Sequence, residues 1–114
     1  MPPPPAPVRT PAYPIPSAER RVIVEVLNGT RRSGAARSAT RQLRRRGLDV
    51  VFFGNAEAAV DSTRVIVRRG DPGRGREVRE ALGVGMVVVE PDTLRRVDVT
   101  VILGPDYRVA ELGP

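Results

Sequence analysis

The residues best placed to bind a ligand are Asn28, Gly29 and Thr30, which follow an alternating apolar segment and precede an arginine-rich one. A strand that turns tightly into a helix exposes backbone N–H groups at the helix N-terminus, and such groups bind phosphates and carboxylates. The alternative is a tight turn in which the Asn28 side chain bonds to nearby backbone groups. One glycine is far fewer than a nucleotide-binding loop contains, so the turn alone does not predict a nucleotide site.

Seven arginines and no acidic residue occur from Arg31 to Arg46. Guanidinium groups bind phosphate oxygens bidentately. Arg31 and Arg32 would lie nearest to an anion held at the helix start, whereas an extended polymer would contact the outer side of the helix. That outer side is predicted to carry Arg37, Arg41, Arg44 and Arg45. The alternative is a solvated helix face in a chain whose basic residues are all arginine.

The composition limits the chemistry that this chain can perform. It contains no cysteine and no histidine, which excludes thiolate and imidazole metal sites, Cys/His nucleophiles and Ser-His-Asp triads. We therefore expect no enzyme, no metal and no cofactor. The formal net charge of +6 arises mainly from the 31–46 segment, and a focused basic surface attracts anionic polymers.

Other polar residues have simpler interpretations. Asp98 and Asp106 are predicted on a strand and in a turn, without the third ligand that a metal would need. Tyr107 is predicted to cover the sheet edge, with stacking on a sugar or a base as the alternative. A second arginine cluster flanks the turn at 70–72, where Asp71 and Glu77 are expected to neutralise it: Arg68, Arg69 and Arg74.

Hydrophobic periodicity predicts strands over 22–27, 48–53, 63–68, 86–89 and 97–103, and helices over 33–46 and 72–82. Ser33 is the predicted N-cap of the first helix and Gly47 its stop. Asp71 is the predicted N-cap of the second helix, with Pro72 at its first position. The inner side of the first helix is predicted to consist of small or apolar residues, namely Ala36, Ala39, Thr40 and Leu43.

The predicted fold class is α+β, with two helices packed on a small mixed β-sheet in the order β-α-β-β-α-β-β. This order is that of a split βαβ, ferredoxin-like unit with one extra strand. Residues 1–20 are predicted to form a proline-rich disordered tail or linker, since eight of the twelve prolines fall before position 17. Residues 21–108 would form the domain, and 109–114 a C-terminal tail.

No apolar run approaches the roughly 20 residues that span a bilayer, and no signal peptide is visible at the N-terminus. The sequence is therefore expected either to be cytoplasmic as written or to have lost an anchor or a signal that precedes it.

Several sequence segments together resemble the LytR C-terminal domain family over roughly 22–107. They are the VLNGT that ends at Thr30, the small-residue helix closed by Gly47, the LDVV and GNA segments at 48–51 and 54–56, and the DVTVILG that ends at Gly104, followed by Asp106 and Tyr107. The resemblance implies an extracytoplasmic, non-catalytic accessory domain near cell-wall glycopolymers, as found at the C-terminus of some LytR–CpsA–Psr envelope proteins. It does not imply phosphotransferase activity, which belongs to a separate domain.

Three functional hypotheses follow from the sequence. The first is an envelope accessory domain that binds an anionic glycopolymer or a partner protein through the arginine-rich helix and the 28–30 turn. The second is a cytoplasmic nucleic-acid-binding module, for which arginine and an isoelectric point near 11.3 supply the electrostatics, but no aromatic set for base stacking is apparent. The third is a protein–protein interaction domain that docks through an exposed sheet edge.

Overall fold

The computed structural model describes residues 21–108. The predicted tails at 1–20 and 109–114 lie outside the described residues. Two helices and five strands follow one another in the predicted order, which confirms the α+β class. Their bounds are β1 Ile23–Asn28, α1 Ala35–Arg45, β2 Asp49–Asn55, β3 Arg64–Val67, α2 Gly73–Leu82, β4 Met86–Val89 and β5 Val99–Leu103.

The five strands form one mixed sheet in the order β2-β1-β5-β3-β4. β1 pairs in parallel with both β2 and β5, and β3 pairs in parallel with β4 and antiparallel with β5. Each helix thus connects two adjacent parallel strands, which differs from the split arrangement of a ferredoxin-like unit. The last strand takes the central position instead, because it lies between the two β-α-β units and joins them.

Both helices pack on the same face of the sheet. The amide of Gln42 in α1 donates hydrogen bonds to the carbonyl oxygens of Ala81 and Leu82 in α2, at 2.9 and 3.0 Å. The predicted inner side of α1 is fully buried and packs over the alternating valines of the central strands. The core therefore lies between the helices and one sheet face, and the opposite face of the sheet is called the open face below.

The start of α1 differs from the prediction, whereas its end agrees with it. The N-cap is Gly34 in a left-handed conformation, without a side-chain hydrogen bond, rather than Ser33. The C-terminus is closed by Gly47 at φ 82°, with the Leu48 N–H donating to the Leu43 carbonyl at 3.2 Å. This is a Schellman motif, in which glycine supplies the positive φ.

The second helix begins one residue later than predicted. Its N-cap is Pro72, and the Asp71 carboxylate accepts a hydrogen bond from the Gly73 N–H at 2.8 Å. The helix ends at Leu82, as predicted, where Gly83 takes a left-handed φ of 87°.

A bulge in β2 decides which face its aromatic side chains occupy. Val24 and Val50 are opposite each other, but the next residue of β1, Glu25, is opposite Phe52, so one residue of β2 is extra. Because successive side chains alternate between faces, Phe52 lies on the open face and Phe53 on the helix face.

Candidate functional site

The turn after β1 is held by its own side chains. Asn28 Oδ1 accepts the Thr30 N–H at 2.9 Å, and Asn28 Nδ2 donates to the Arg32 carbonyl at 2.9 Å. The Thr30 hydroxyl accepts the Arg32 N–H at 3.0 Å. These contacts form the tight turn that was the alternative to an anion site, so both side chains already have partners inside the turn.

Gly29 is required for a close approach between strands, not for a positive φ. Its N–H donates to the Leu103 carbonyl of β5 at 2.9 Å, and it is not among the glycines with positive φ. A Cβ at this position would lie 2.7 Å from the same carbonyl oxygen. The glycine therefore lets the end of β1 lie directly against the end of β5.

The structure separates the two arginines that were predicted to lie nearest an anion. Arg31 and Arg32 are both exposed, but Arg32 reaches across the fold and donates to the Tyr107 carbonyl. A third arginine, Arg37, lies beside the ends of β1 and β2. It lines a cleft of about 340 Å³ together with Asn28, Phe53 and Asn55.

The four arginines of the predicted outer side are all exposed on α1 and are called the arginine face below: Arg37, Arg41, Arg44 and Arg45. α1 runs alongside β2. Arg44 donates to the Val50 carbonyl near the start of β2 at 2.8 Å, and Arg37 lines the cleft beside the end of the strand. Arg41 stands between them on the same side of the helix, because residues three and four apart are neighbours.

An apolar segment at the edge of the sheet was not recognised from the sequence as a surface feature. β2 is an edge strand, and Val51, Phe52 and Phe53 are 52%, 55% and 39% exposed. The signal in the sequence was the run of consecutive apolar residues at 50–53, since a half-buried strand would alternate. We call Val51, Phe52 and Phe53 the β2 edge.

The second arginine cluster has a different counter-ion from the one predicted. Asp98 is buried, with 3% of its surface exposed. One of its carboxylate oxygens, Oδ1, forms ion pairs with Arg69 Nε at 2.8 Å and with Arg74 Nη1 at 2.9 Å. Arg68 donates instead to the Thr100 hydroxyl at 3.1 Å. The prediction that Asp71 and Glu77 neutralise the cluster was wrong, because pairing across the sheet brings Asp98 closer.

Asp106 and Tyr107 both hold the structure together. Asp106 Oδ1 accepts the N–H and the hydroxyl of Thr63 at 2.8 and 2.7 Å. Tyr107 is 1% exposed, and its hydroxyl lies 3.2 Å from both the Ser38 hydroxyl and the Gln42 amide oxygen. Tyr107 is thus a core residue beneath α1, neither a cover of the sheet edge nor a platform for stacking.

A polar cluster occupies the open face of the central strands. Glu25 Oε2 accepts the Thr100 hydroxyl and Arg95 Nη1, both at 2.6 Å. The hydrogen bond from Arg95 to Glu25 raises the pKa of the arginine above its ordinary value. The cluster links the loop before β5 to the centre of the sheet.

The acidic side chains of residues 21–108 are dispersed over the fold. No group of three of them lies close enough together to hold a metal ion. No helix in this part of the chain has the length and apolar character needed to cross a bilayer.

The fold and its surface define a small α+β domain, in which two helices cover one face of a sheet and the arginine face of one helix lies beside an apolar edge strand. A family model described as LytR cell envelope-related transcriptional attenuator matches residues 21–107. The chain belongs to this family, LytR_C, whose domains are accessory domains associated with the cell envelope.

One solved structure shares the fold. The soluble domain of a conserved hypothetical secreted protein from Mycobacterium marinum, an Rv2700 ortholog, superposes with a TM-score of 0.58 at 20% identity, covering 77% of this chain. This chain spans 62% of the length of that structure. The C-terminal domain of RV0431 is similar at 21% identity and a TM-score of 0.45, covering 91% of this chain and 86% of that one. No curated protein matches the chain.

Proposed function

We propose that this domain is a non-catalytic binding module of the cell envelope that holds an anionic ligand on the arginine face of α1. The observation that carries the proposal is the exposure of all four arginines along one helix, in a segment without any acidic residue from 31 to 46. Guanidinium groups bind phosphate and carboxylate oxygens, so a helix that exposes four of them suits an anionic ligand.

The polar groups of the described residues support binding rather than catalysis. The two aspartates considered as a carboxylate pair, Asp98 and Asp106, accept hydrogen bonds from arginine and backbone groups of the fold. The ligand classes that fit are an anionic glycopolymer and an acidic part of a partner protein. Family membership and the secreted protein from M. marinum support a location outside the cytoplasmic membrane.

Neutralising the arginine face is expected to weaken binding to an anionic glycopolymer. The variant is Arg37→Gln/Arg41→Gln/Arg44→Gln/Arg45→Gln, and the probe is an immobilised polymer with a phosphodiester backbone. Four exposed ion pairs at about 0.2–1 kcal/mol each predict a loss of affinity between roughly fourfold and several hundredfold. The retention of the unmodified protein should fall as salt is raised, because salt screens exposed charges.

A matched control removes the same charge elsewhere. Glutamine at four other exposed arginines gives the same net charge and should leave most of the retention intact; these are Arg64, Arg76, Arg96 and Arg108. Equal losses in both variants would mean that net charge alone drives retention and would contradict a site on α1. Equal retention of all three proteins would contradict the arginine part of the proposal.

Nucleic acid is the second candidate, because the isoelectric point near 11.3 meets the electrostatic requirement. The central strands carry Glu25 and Thr100 on the open face, where a sheet that stacks bases would carry aromatic side chains. A gel-shift titration with single- and double-stranded DNA and RNA, run on the same variants, separates the two candidates. Salt-dependent binding to nucleic acid that exceeds binding to the glycopolymer would favour the second.

A further inference from the structure

We propose that the ligand of this surface is an extended segment of a partner protein in which acidic and apolar residues alternate, and that it adds to the β2 edge as a sixth strand. The proposal rests on the proposed function, because the segment would use three side chains of the arginine face. It adds the backbone partner, the class of ligand and the pattern of its side chains.

The outer side of β2 has backbone groups available for pairing. Asp49 donates to the Val22 carbonyl of β1 near one end of the strand, and Ala56 donates to the Asn28 carbonyl just beyond the other, both at 3.0 Å. Because backbone groups alternate in direction along a strand, Val50, Phe53 and Asn55 direct theirs away from β1. Arg44 covers the Val50 carbonyl, which leaves the stretch from Phe53 to Asn55 open.

The exposed side chains give that edge an apolar character that edge strands usually avoid. Natural edges are protected by bulges, lysine, proline or inward-pointing charges. β2 has a bulge after Val50, but no charge or proline occurs from Val50 to Asn55. Val51 and Phe52 are more than half exposed. An incoming strand would place alternate side chains against Phe52 on the open face, so these side chains should be apolar.

The helix face of the same edge has the opposite character. There the neighbours of an incoming strand are Phe53 and the guanidinium groups of α1, with Arg44 at the start of β2 and Arg37 at its end. The seven-residue step from Arg37 to Arg44 spans about 10 Å of helix, close to the length of three or four residues of extended chain. Side chains of the incoming strand that point to this face should therefore be acidic.

Charge also argues against a second copy of this chain as the occupant. Antiparallel pairing of two β2 edges about a twofold axis would keep both helices on the same face of the combined sheet. The two arginine faces would then lie opposite each other across the new interface, without an acidic residue from 31 to 46 to separate them. An acidic segment reverses the sign of that interaction.

The proposal is tested with synthetic peptides of about ten residues. One alternates glutamate and valine, a second has the same composition in scrambled order, and a third alternates lysine and valine. The alternating acidic peptide is expected to bind at least tenfold more tightly than either control, and to slow amide hydrogen exchange at Phe53 and Asn55. Equal binding of the scrambled peptide would overturn strand addition, because charge alone would then explain the affinity.

Two substitutions disable strand addition at the β2 edge without changing the arginine face. Phe53→Pro deletes an outward-pointing N–H, which edge strands tolerate because no bond to β1 is lost. Phe52→Thr removes the apolar contact on the open face and keeps a strand-forming residue. Each variant should bind the alternating acidic peptide about tenfold more weakly than the unmodified protein does. Its retention on the phosphodiester glycopolymer should stay unchanged. The amide NMR spectrum of each variant verifies that it is folded.

The outcomes distinguish this inference from the proposed function. If the edge variants bind the peptide as the unmodified protein does, strand addition is wrong; glycopolymer binding that still depends on the arginine face would leave the proposed function standing. If the arginine variant binds both ligands normally, the proposed function and the acidic identity of the partner are both wrong. Dimerisation of the protein alone that Phe53→Pro abolishes would identify a second copy as the occupant and overturn the proposal.

Discussion

Asp98→Ala is expected to lower the free energy of unfolding of this domain by about 3 kcal/mol, a large part of its stability. The buried carboxylate accepts the Ile23 N–H at 2.8 Å and two guanidinium groups, those of Arg69 and Arg74. Removing one partner of a buried ion pair costs about 3–5 kcal/mol, and whole domains are stable by only about 5–15 kcal/mol. The lower part of the first range applies, since Arg69 and Arg74 are 45% and 30% exposed and water replaces some of the lost contacts.

Urea denaturation followed by circular dichroism measures this loss. Asp98→Asn keeps an acceptor for the Ile23 N–H but loses the charge. Its free energy of unfolding should therefore lie between those of the alanine variant and the unmodified protein. Asp61→Ala at an exposed position serves as the control, and such surface changes usually stay within about 0.5 kcal/mol. A midpoint for Asp98→Ala equal to that of Asp61→Ala would show that the carboxylate does not hold β1, β5 and α2 together.

Gly104→Ala is expected to have an effect of similar size for a steric reason. A Cβ at this position would lie 2.7 Å from both the Ser62 Cα and the Thr63 backbone nitrogen, and backbone atoms cannot rotate away as a side chain does. The end of β5 would have to move, which would stretch the hydrogen bond from the Gly104 N–H to the Thr63 hydroxyl, now 3.0 Å. Overpacking of this kind costs about 1–3 kcal/mol and occasionally more.

Gly47→Ala is the matched control for the glycine prediction. Gly47 has a φ of 82°, and a Cβ added there would have no atom within 4 Å, so its substitution tests conformational strain without a clash, at about 1–2 kcal/mol. In a domain of this size each kcal/mol lowers the melting temperature by roughly 4–8 °C. The melting temperature of Gly104→Ala should therefore be lower than that of Gly47→Ala. The reverse order would show that the backbone at 62–63 can shift at little cost.

Local patterns were sufficient to predict the helices and strands of this chain. The small-residue side of α1 predicted its buried face, and Gly47 predicted its end, because both depend on residues within a few positions of each other. Ser33 was a wrong N-cap since the chain is first held by the Asn28 and Thr30 side chains, and only Gly34 takes the left-handed conformation that starts the helix.

Long-range pairing could not be predicted in the same way. Alternation shows that Val99 and Val101 share a buried face, but not which strands flank them. For that reason Asp98 was assigned to no partner, although it binds groups more than 20 residues away along the chain. The bulge in β2 was equally hidden, and it alone decides that Phe53, not Phe52, lies on the side of the arginine face.

The position of β5 in the sheet has a consequence for how the domain is made. It is the last strand of residues 21–108 to be synthesised, yet it pairs on both sides and joins the two β-α-β units. Chains grow at about 5–20 residues per second, and until Val99–Leu103 has emerged the earlier units have no common partner. The domain should therefore complete its sheet in a single late step, and a ribosome stalled before Val99 would carry two β-α-β units whose strands are not joined in one sheet.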